Sequence, residues 1–141
     1  LYLSSQRAVE AVAGRVPAQA RVLDLGCGLG GWLASLKTRR PDLVLAGVEV
    51  APLNWLASRL RLNGKAAIRL GSLWEEDLSD YDVVYAYLSP APMAELWRKV
   101  EREMRPGSLF ISNTFAVPGI EPDETVELKD LSHARLLIWR R

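Results

Sequence analysis

One cysteine, one histidine, two phenylalanines and two methionines in 141 residues remove several kinds of protein from consideration. Cys27 alone can form neither an internal disulfide nor a thiolate metal cluster, which fits a reducing interior. No sign of charge dominates either: 18 lysines and arginines stand against 17 aspartates and glutamates, for a net charge of +1. Without a global field, neither nucleic acid nor an anionic membrane is the expected partner. No uninterrupted apolar run approaches the roughly 20 residues that span a bilayer, and no basic-then-apolar leader opens the chain. The expectation is therefore a cytoplasmic protein without a membrane segment, although numbering that opens on Leu1 leaves the natural start open. Internal repeats, low-complexity runs and linkers are also missing. What remains is ordinary globular composition, 49% hydrophobic and 25% charged. That is enough for one domain over residues 1–141, which at this size buries roughly 70% of its unfolded surface.

The hydrophobic pattern alternates between the two regular periods. Ser4 or Ser5 is placed to cap a first helix running to about Val16 and closed by Pro17, with Val9, Val12, Ala13 and Val16 on one face, lying against the sheet edge. Residues 21–25 read as a short apolar strand, residues 32–38 as a helix, and residues 43–48 as a buried strand. Pro52 suits the first turn of a helix in which Leu53, Leu56 and Leu60 repeat at helical spacing, stopped by Asn63-Gly64. Residues 66–70 and 81–88 give the third and fourth strands. Ser89-Pro90 then reads as a cap and a first-turn proline for a helix to about Met104, with Met93, Trp97, Val100 and Met104 on one stripe. After Pro106-Gly107, residues 108–113 give a fifth strand, and residues 125–131 and 134–139 a closing antiparallel hairpin around Ser132-His133. Strands alternating with helices predict an α/β fold: a Rossmann-like, doubly wound, mostly parallel sheet with that hairpin at its C-terminal end. Ligands in such sheets sit beyond the carboxyl ends of the strands, near the switch point.

The chemistry-bearing residues cluster at those strand ends. Asp24-Leu25-Gly26-Cys27-Gly28-Leu29-Gly30 joins the first strand to a helix, and glycines there let the backbone turn tightly and approach a ligand closely. Gly26, Gly28 and Gly31 also satisfy the dinucleotide fingerprint, so spacing alone does not separate a nicotinamide cofactor from S-adenosylmethionine. Asp24 favours the latter: a carboxylate at that strand end attracts a cationic ligand and repels a diphosphate. Glu49 ends the second strand eighteen residues after Gly31, the distance at which an acidic side chain accepts both ribose hydroxyls.

These segments resemble a known group over nearly the whole chain. Val22-Leu23-Asp24-Leu25-Gly26-Cys27-Gly28 resembles the first motif of the class I, seven-strand methyltransferases, and Arg105-Pro106-Gly107-Ser108 the turn before their fifth strand. Glu49-Val50-Ala51-Pro52-Leu53, Gly71-Ser72-Leu73-Trp74-Glu75, Leu78-Ser79-Asp80-Tyr81-Asp82-Val83-Val84 and Ser112-Asn113-Thr114-Phe115 are similar to the ATP synthase c-subunit lysine N-methyltransferase family and its prokaryotic relatives. The resemblance implies methyl transfer from S-adenosylmethionine to a lysine amine of a protein substrate. It places Asp24, Gly26, Cys27, Gly28, Gly30, Glu49, Ser72, Leu73 and Trp74 at the donor. The chain departs from the family at Ser72, where relatives commonly carry an aspartate that accepts from the adenine amino group; a serine offers only a hydroxyl.

After the fourth strand, Tyr87-Leu88-Ser89-Pro90 stands where class I enzymes acting on nitrogen hold the acceptor. Tyr87, Ser89 and Pro90 are the candidate catalytic residues: backbone carbonyls around Leu88 and Ser89 to hold an amine, and Tyr87 to orient it or take its proton, although Tyr87 reads equally well as strand packing and Ser89 better as a helix cap. Trp74 reads as an adenine wall or as core, and Glu75-Glu76-Asp77 as a solvated acidic turn. Arg59, Arg61, Lys65 and Arg69, with Arg98, Lys99, Arg102 and Arg105, read as solvated helix faces without the aromatic interleaving that stacks bases. His133 has no assigned role, and no metal site is expected. The alternatives are a small-molecule or RNA methyltransferase on the same fold, an NAD(P)-dependent oxidoreductase, or a non-catalytic S-adenosylmethionine-binding module.

Overall fold

Strand β1 (Arg21–Leu25) carries four consecutive buried residues and β4 (Val83–Ala86) is buried throughout, the pattern of strands covered on both faces. They are the centre of a seven-stranded sheet of order β3-β2-β1-β4-β5-β7-β6 in a computed structural model that describes residues 2–129 and 133–141. Between β1 and β2 (Val44–Glu49) runs α2 (Gly31–Arg39), and between β2 and β3 (Ala66–Leu70) runs α3 (Pro52–Arg61). The chain then returns through two short 3-10 turns, Leu73–Glu75 and Leu78–Asp80, to lay β4 on the other side of β1. Helix α4 (Met93–Glu103) leads to β5 (Leu109–Asn113). β1 to β5 are parallel, whereas β7 (Arg135–Arg140) pairs antiparallel with β5 and with β6 (Glu124–Glu127). The reversal of strand order between β1 and β4 is the switch point where such sheets bind ligands.

Side chains alternate between two core layers. Val22, Tyr85, Ile111, Leu136 and Ile138 face α1 (Tyr2–Ala13) and α2, which contribute Val9, Val12, Leu33 and Leu36. Leu23, Leu25, Val84 and Phe110 face α4, whose Trp97 packs with Phe110 and Trp139 at ring separations of 5.5–6.2 Å. Among the described residues no helix is long and apolar enough to cross a membrane.

Several local expectations change. Ser4 and Ser5 fall within the span of α1 rather than before it, and that helix ends at Ala13, before Pro17. α1 packs against α2 in the first core layer, and its Arg7 donates to the Leu128 carbonyl just beyond β6 at 2.8 Å. The leucines of α3 point outward: Leu53, Leu56 and Leu60 are exposed, while Ser58 and Leu62 are buried. α4 starts at Met93 with Pro92 as its N-cap, so Ser89 and Pro90 belong to a loop. Lys99 is not a solvated cation; it is buried, donating from Nζ to Glu103 Oε2 at 2.9 Å and to the Trp74 carbonyl at 3.2 Å. The antiparallel pair at the end of the chain is present, but β7 inserts between β5 and β6. Of the predicted hairpin turn, Ser132 lies outside the described residues and His133 is exposed.

Candidate functional site

The glycine loop leaves the carboxyl end of β1 with Gly26, Gly28 and Gly30 at φ of +71°, +57° and +83°, the left-handed region that other residues adopt only with strain. The glycines differ in what surrounds them. A Cβ at Gly30 would lie 2.8 Å from Leu62 Cδ1 and 3.2 Å from Ser58 Cβ, so this corner of the loop is pressed onto α3 and its end. A Cβ at Gly28 would meet nothing within 4 Å; this is the open side of the loop, where a ligand can approach the backbone. Cys27, between them, turns inward. A Cβ at Gly47 would stand 3.0 Å from Cys27 Sγ, and burial, helped by the charge of Asp24, pushes the thiol up to about 12. It is a packed, unreactive thiol, and only its backbone is available to a ligand.

Glu49, buried at the end of β2, holds the loop against its strand. Oε1 accepts from the Gly28 N–H at 2.8 Å and Oε2 from the Ala51 N–H at 2.9 Å. A carboxylate has about four acceptor directions, so each oxygen keeps one for a further donor. Asp24 is buried in the neighbouring strand, and its carboxyl accepts no hydrogen bond among the described residues. Burial, then the nearby charge of Glu49, holds its carboxyl well above the usual range. A positive charge beside it would reverse that shift. A buried carboxyl with no hydrogen-bond donor among the described residues, an open glycine cradle and a second carboxylate with spare acceptor capacity together fit the chemistry of S-adenosylmethionine, a cationic ligand that carries a ribose.

Three residues that sequence reasoning passed over complete this end of the sheet. Tyr85 is the register partner of Asp24 across β1 and β4. Trp32, in the first turn of α2, stacks on its ring at 3.7 Å with an interplanar angle of 6°, and the Trp32 indole N–H is buried without an acceptor among the described residues. Asn113 Nδ2 donates to the Tyr85 hydroxyl at 2.9 Å, and Asn113 Oδ1 accepts from Thr114 Oγ1 at 2.8 Å. Burial raises the Tyr85 phenol, with the Asn113 bond opposing and the Asp24 charge adding, so Tyr85 stays neutral. The available signal was Asn113, inside Ser112-Asn113-Thr114-Phe115 at the end of its strand, and Tyr85, two residues before Tyr87.

Beyond β3, Ser72 is an N-cap. Its hydroxyl accepts from the Trp74 N–H at 3.2 Å while its own N–H donates to Glu75 Oε1 at 3.2 Å, a capping box. Leu73 packs partly into the α4 layer; Trp74 stays partly exposed, and its carbonyl is tied to Lys99. The acidic run is structural: Glu76 pairs with Arg69, and Asp77 Oδ1 accepts from the Ser79 N–H at 3.0 Å.

The loop after β4 borders the glycine loop, for a Cβ at Gly26 would lie 3.3 Å from Leu88 Cδ2. Tyr87 is 54% exposed, its ring 6.2 Å from that of Phe115 after β5. Ser89 and Pro90 are exposed beside it. An acceptor group entering here would come from solvent directly onto the loop that carries the open glycine.

Fold and site together define a class I, S-adenosylmethionine-dependent methyltransferase domain. Within that class, a family model for the ANTKMT methyltransferase domain matches residues 24–124, and the chain belongs to that family. The oxidoreductase reading of the glycine loop falls with it. The chain is similar to a protein-lysine N-methyltransferase of Saccharolobus islandicus, 29% identical over 114 residues that cover 77% of this chain and 71% of that protein. It is also similar to the secondary metabolism regulator laeA of Monascus pilosus, 30% identical over 97 residues; the match covers 67% of this chain but only 26% of the regulator's length. In fold it resembles an RNA methyltransferase of Salinibacter ruber solved with S-adenosyl-L-homocysteine, with a TM-score of 0.84 and 24% identity over 96% of this chain and 88% of that one.

Proposed function

We propose that this protein transfers a methyl group from S-adenosylmethionine to a lysine amine of a protein substrate. The observation that carries the reading is the Asp24, Gly28 and Glu49 constellation within a chain of the ANTKMT family. The lysine acceptor is supported by the similarity to the Saccharolobus islandicus enzyme. When bound, the donor supplies an electrophilic methyl on a sulfonium. The chain's own residues have little covalent work to do, since displacement at that methyl depends on alignment of a neutral amine at roughly 3–3.5 Å. Asp24 neutralises the donor's cationic end, Glu49 accepts from its ribose, and Gly28 keeps the approach open. Leu73 and Trp74 border the adenine, with Ser72 holding the turn that carries them. Cys27 contributes its backbone alone.

The carbonyls of Leu88 and Ser89 hold the ammonium of the incoming lysine, and Pro90 sets the shape of their loop. Tyr87, exposed at the rim, orients the amine as it loses its proton to solvent. Incubation of the purified protein with radiolabelled donor and a cell extract, followed by mass spectrometry of the labelled species, tests this directly. Methyl-lysine on a protein is the expected product. Label on RNA or on a small molecule alone would replace the acceptor, and no label despite tight donor binding would make the domain a non-catalytic binder.

A further inference from the structure

Helix α3 carries an apolar face that no described element covers. Leu53, Leu56 and Leu60 are 82%, 46% and 71% exposed, and at 3.6 residues per turn they fall within an arc of about 60°. The opposite side makes the tertiary contacts: Ser58 is buried, Leu62 follows it into the core, and the Trp55 indole N–H donates to the Ile68 carbonyl at 3.1 Å. Arg59 and Arg61 lie on either side of the leucine stripe, and Lys65 follows the helix. None of these three cations forms an ion pair with the described residues, and no acidic residue occurs between Glu49 and Glu75.

We propose that this face docks on an anionic lipid bilayer. The helix has ten residues, far too few to span, but an amphipathic helix lying in the interface buries its apolar side at the acyl boundary while flanking cations reach the phosphates. Charge selects this occupant. A second copy pairing α3 against α3 would set Arg59, Arg61 and Lys65 opposite the same cations with no carboxylate to pair them, and desolvating like charges disfavours that contact. The near-zero net charge of the whole chain hides this local excess.

Co-sedimentation with phosphatidylcholine vesicles, with and without phosphatidylserine, tests the proposal. Binding to the phosphatidylserine vesicles is expected, about tenfold weaker or more on phosphatidylcholine alone and at high salt. The Leu53→Glu/Leu60→Glu variant is expected to lose about tenfold or more of the partitioning, with donor affinity and melting temperature unchanged because both side chains are exposed. Leu53→Ser/Leu60→Ser serves in its place if the glutamates disturb folding. Arg59→Gln/Arg61→Gln is expected to lose the phosphatidylserine preference. Absence of vesicle binding, or equal binding by parent and leucine variants, would overturn the proposal. So would a concentration-dependent dimer in vesicle-free solution that the leucine variants abolish.

Discussion

Replacing Glu49 with glutamine keeps the side chain's shape and removes one acceptor. In the parent both carboxylate oxygens accept backbone N–H groups, from Gly28 at 2.8 Å and from Ala51 at 2.9 Å. An amide has one oxygen and one NH2, so whichever way it turns, one of those N–H groups faces a donor. A hydrogen bond to a charged group contributes about 1.5–3 kcal/mol. Relief of the repulsion that Glu49 exerts on Asp24 opposes this loss, leaving a net destabilisation of about 2 kcal/mol. For a domain of this size that lowers Tm by roughly 6–10 °C. Loss of the ribose acceptor weakens donor binding by about ten- to a hundredfold. Calorimetric melting without ligand measures the first effect, and titration with S-adenosylhomocysteine the second. If Glu49→Gln melts with the parent, the clamp on the loop is wrong. If it melts early but binds the donor unchanged, the clamp stands and the ribose contact does not.

Gly28→Arg is expected to abolish donor binding while costing only about 1–2 kcal/mol of stability for its positive φ, because its side chain enters open space. Gly30→Ala, by contrast, is expected to cost about 2–4 kcal/mol through the clash with Leu62 and Ser58; comparable denaturation midpoints for the two variants would contradict this division of the loop. Asp24 has a folded pKa above its ordinary 3.8, so its contribution to the ligand-free protein is complete below that value and is lost as pH rises through the folded pKa. Asp24→Asn should therefore flatten the fall in Tm with rising pH and stabilise the ligand-free protein at neutrality, yet weaken donor binding. A parental pH slope in that variant would refute the assignment. Tyr87→Phe should slow transfer about tenfold or more with donor affinity intact; transfer at the parental rate would remove the tyrosine from the reaction.

The glycine loop and its two carboxylates were legible because their signals are local. A strand, three glycines and two carboxylates at fixed spacing specify β1, the loop and the end of β2, and the structure places Asp24, Gly28 and Glu49 together. What stayed hidden depends on partners distant in sequence. The leucines of α3 have core spacing, but the helix packs through Ser58 and Leu62 because those residues meet Gly30. Lys99 looks like a surface cation until Glu103 and the Trp74 carbonyl, 25 residues away, enclose it. Trp32 and Tyr85 stack only because α2 folds back over the sheet, a contact no single-segment pattern encodes. Ser89-Pro90 reads as a helix start, yet Ala91-Pro92 follows, and the second proline delays α4 to Met93.

The place of β7 bears on when the sheet can be completed. It is synthesised after β6 but lies between β5 and β6, and it brings Leu136, Ile138 and Trp139 to both core layers. A nascent chain stopped at residue 127 already contains Asp24, Gly28, Glu49 and Tyr87, but β5 still has an open edge and Phe110, already beside Trp97, lacks Trp139. The seven-stranded order is complete only once β7 has been made. The candidate site residues therefore precede, in order of synthesis, the strand that completes the sheet beside them.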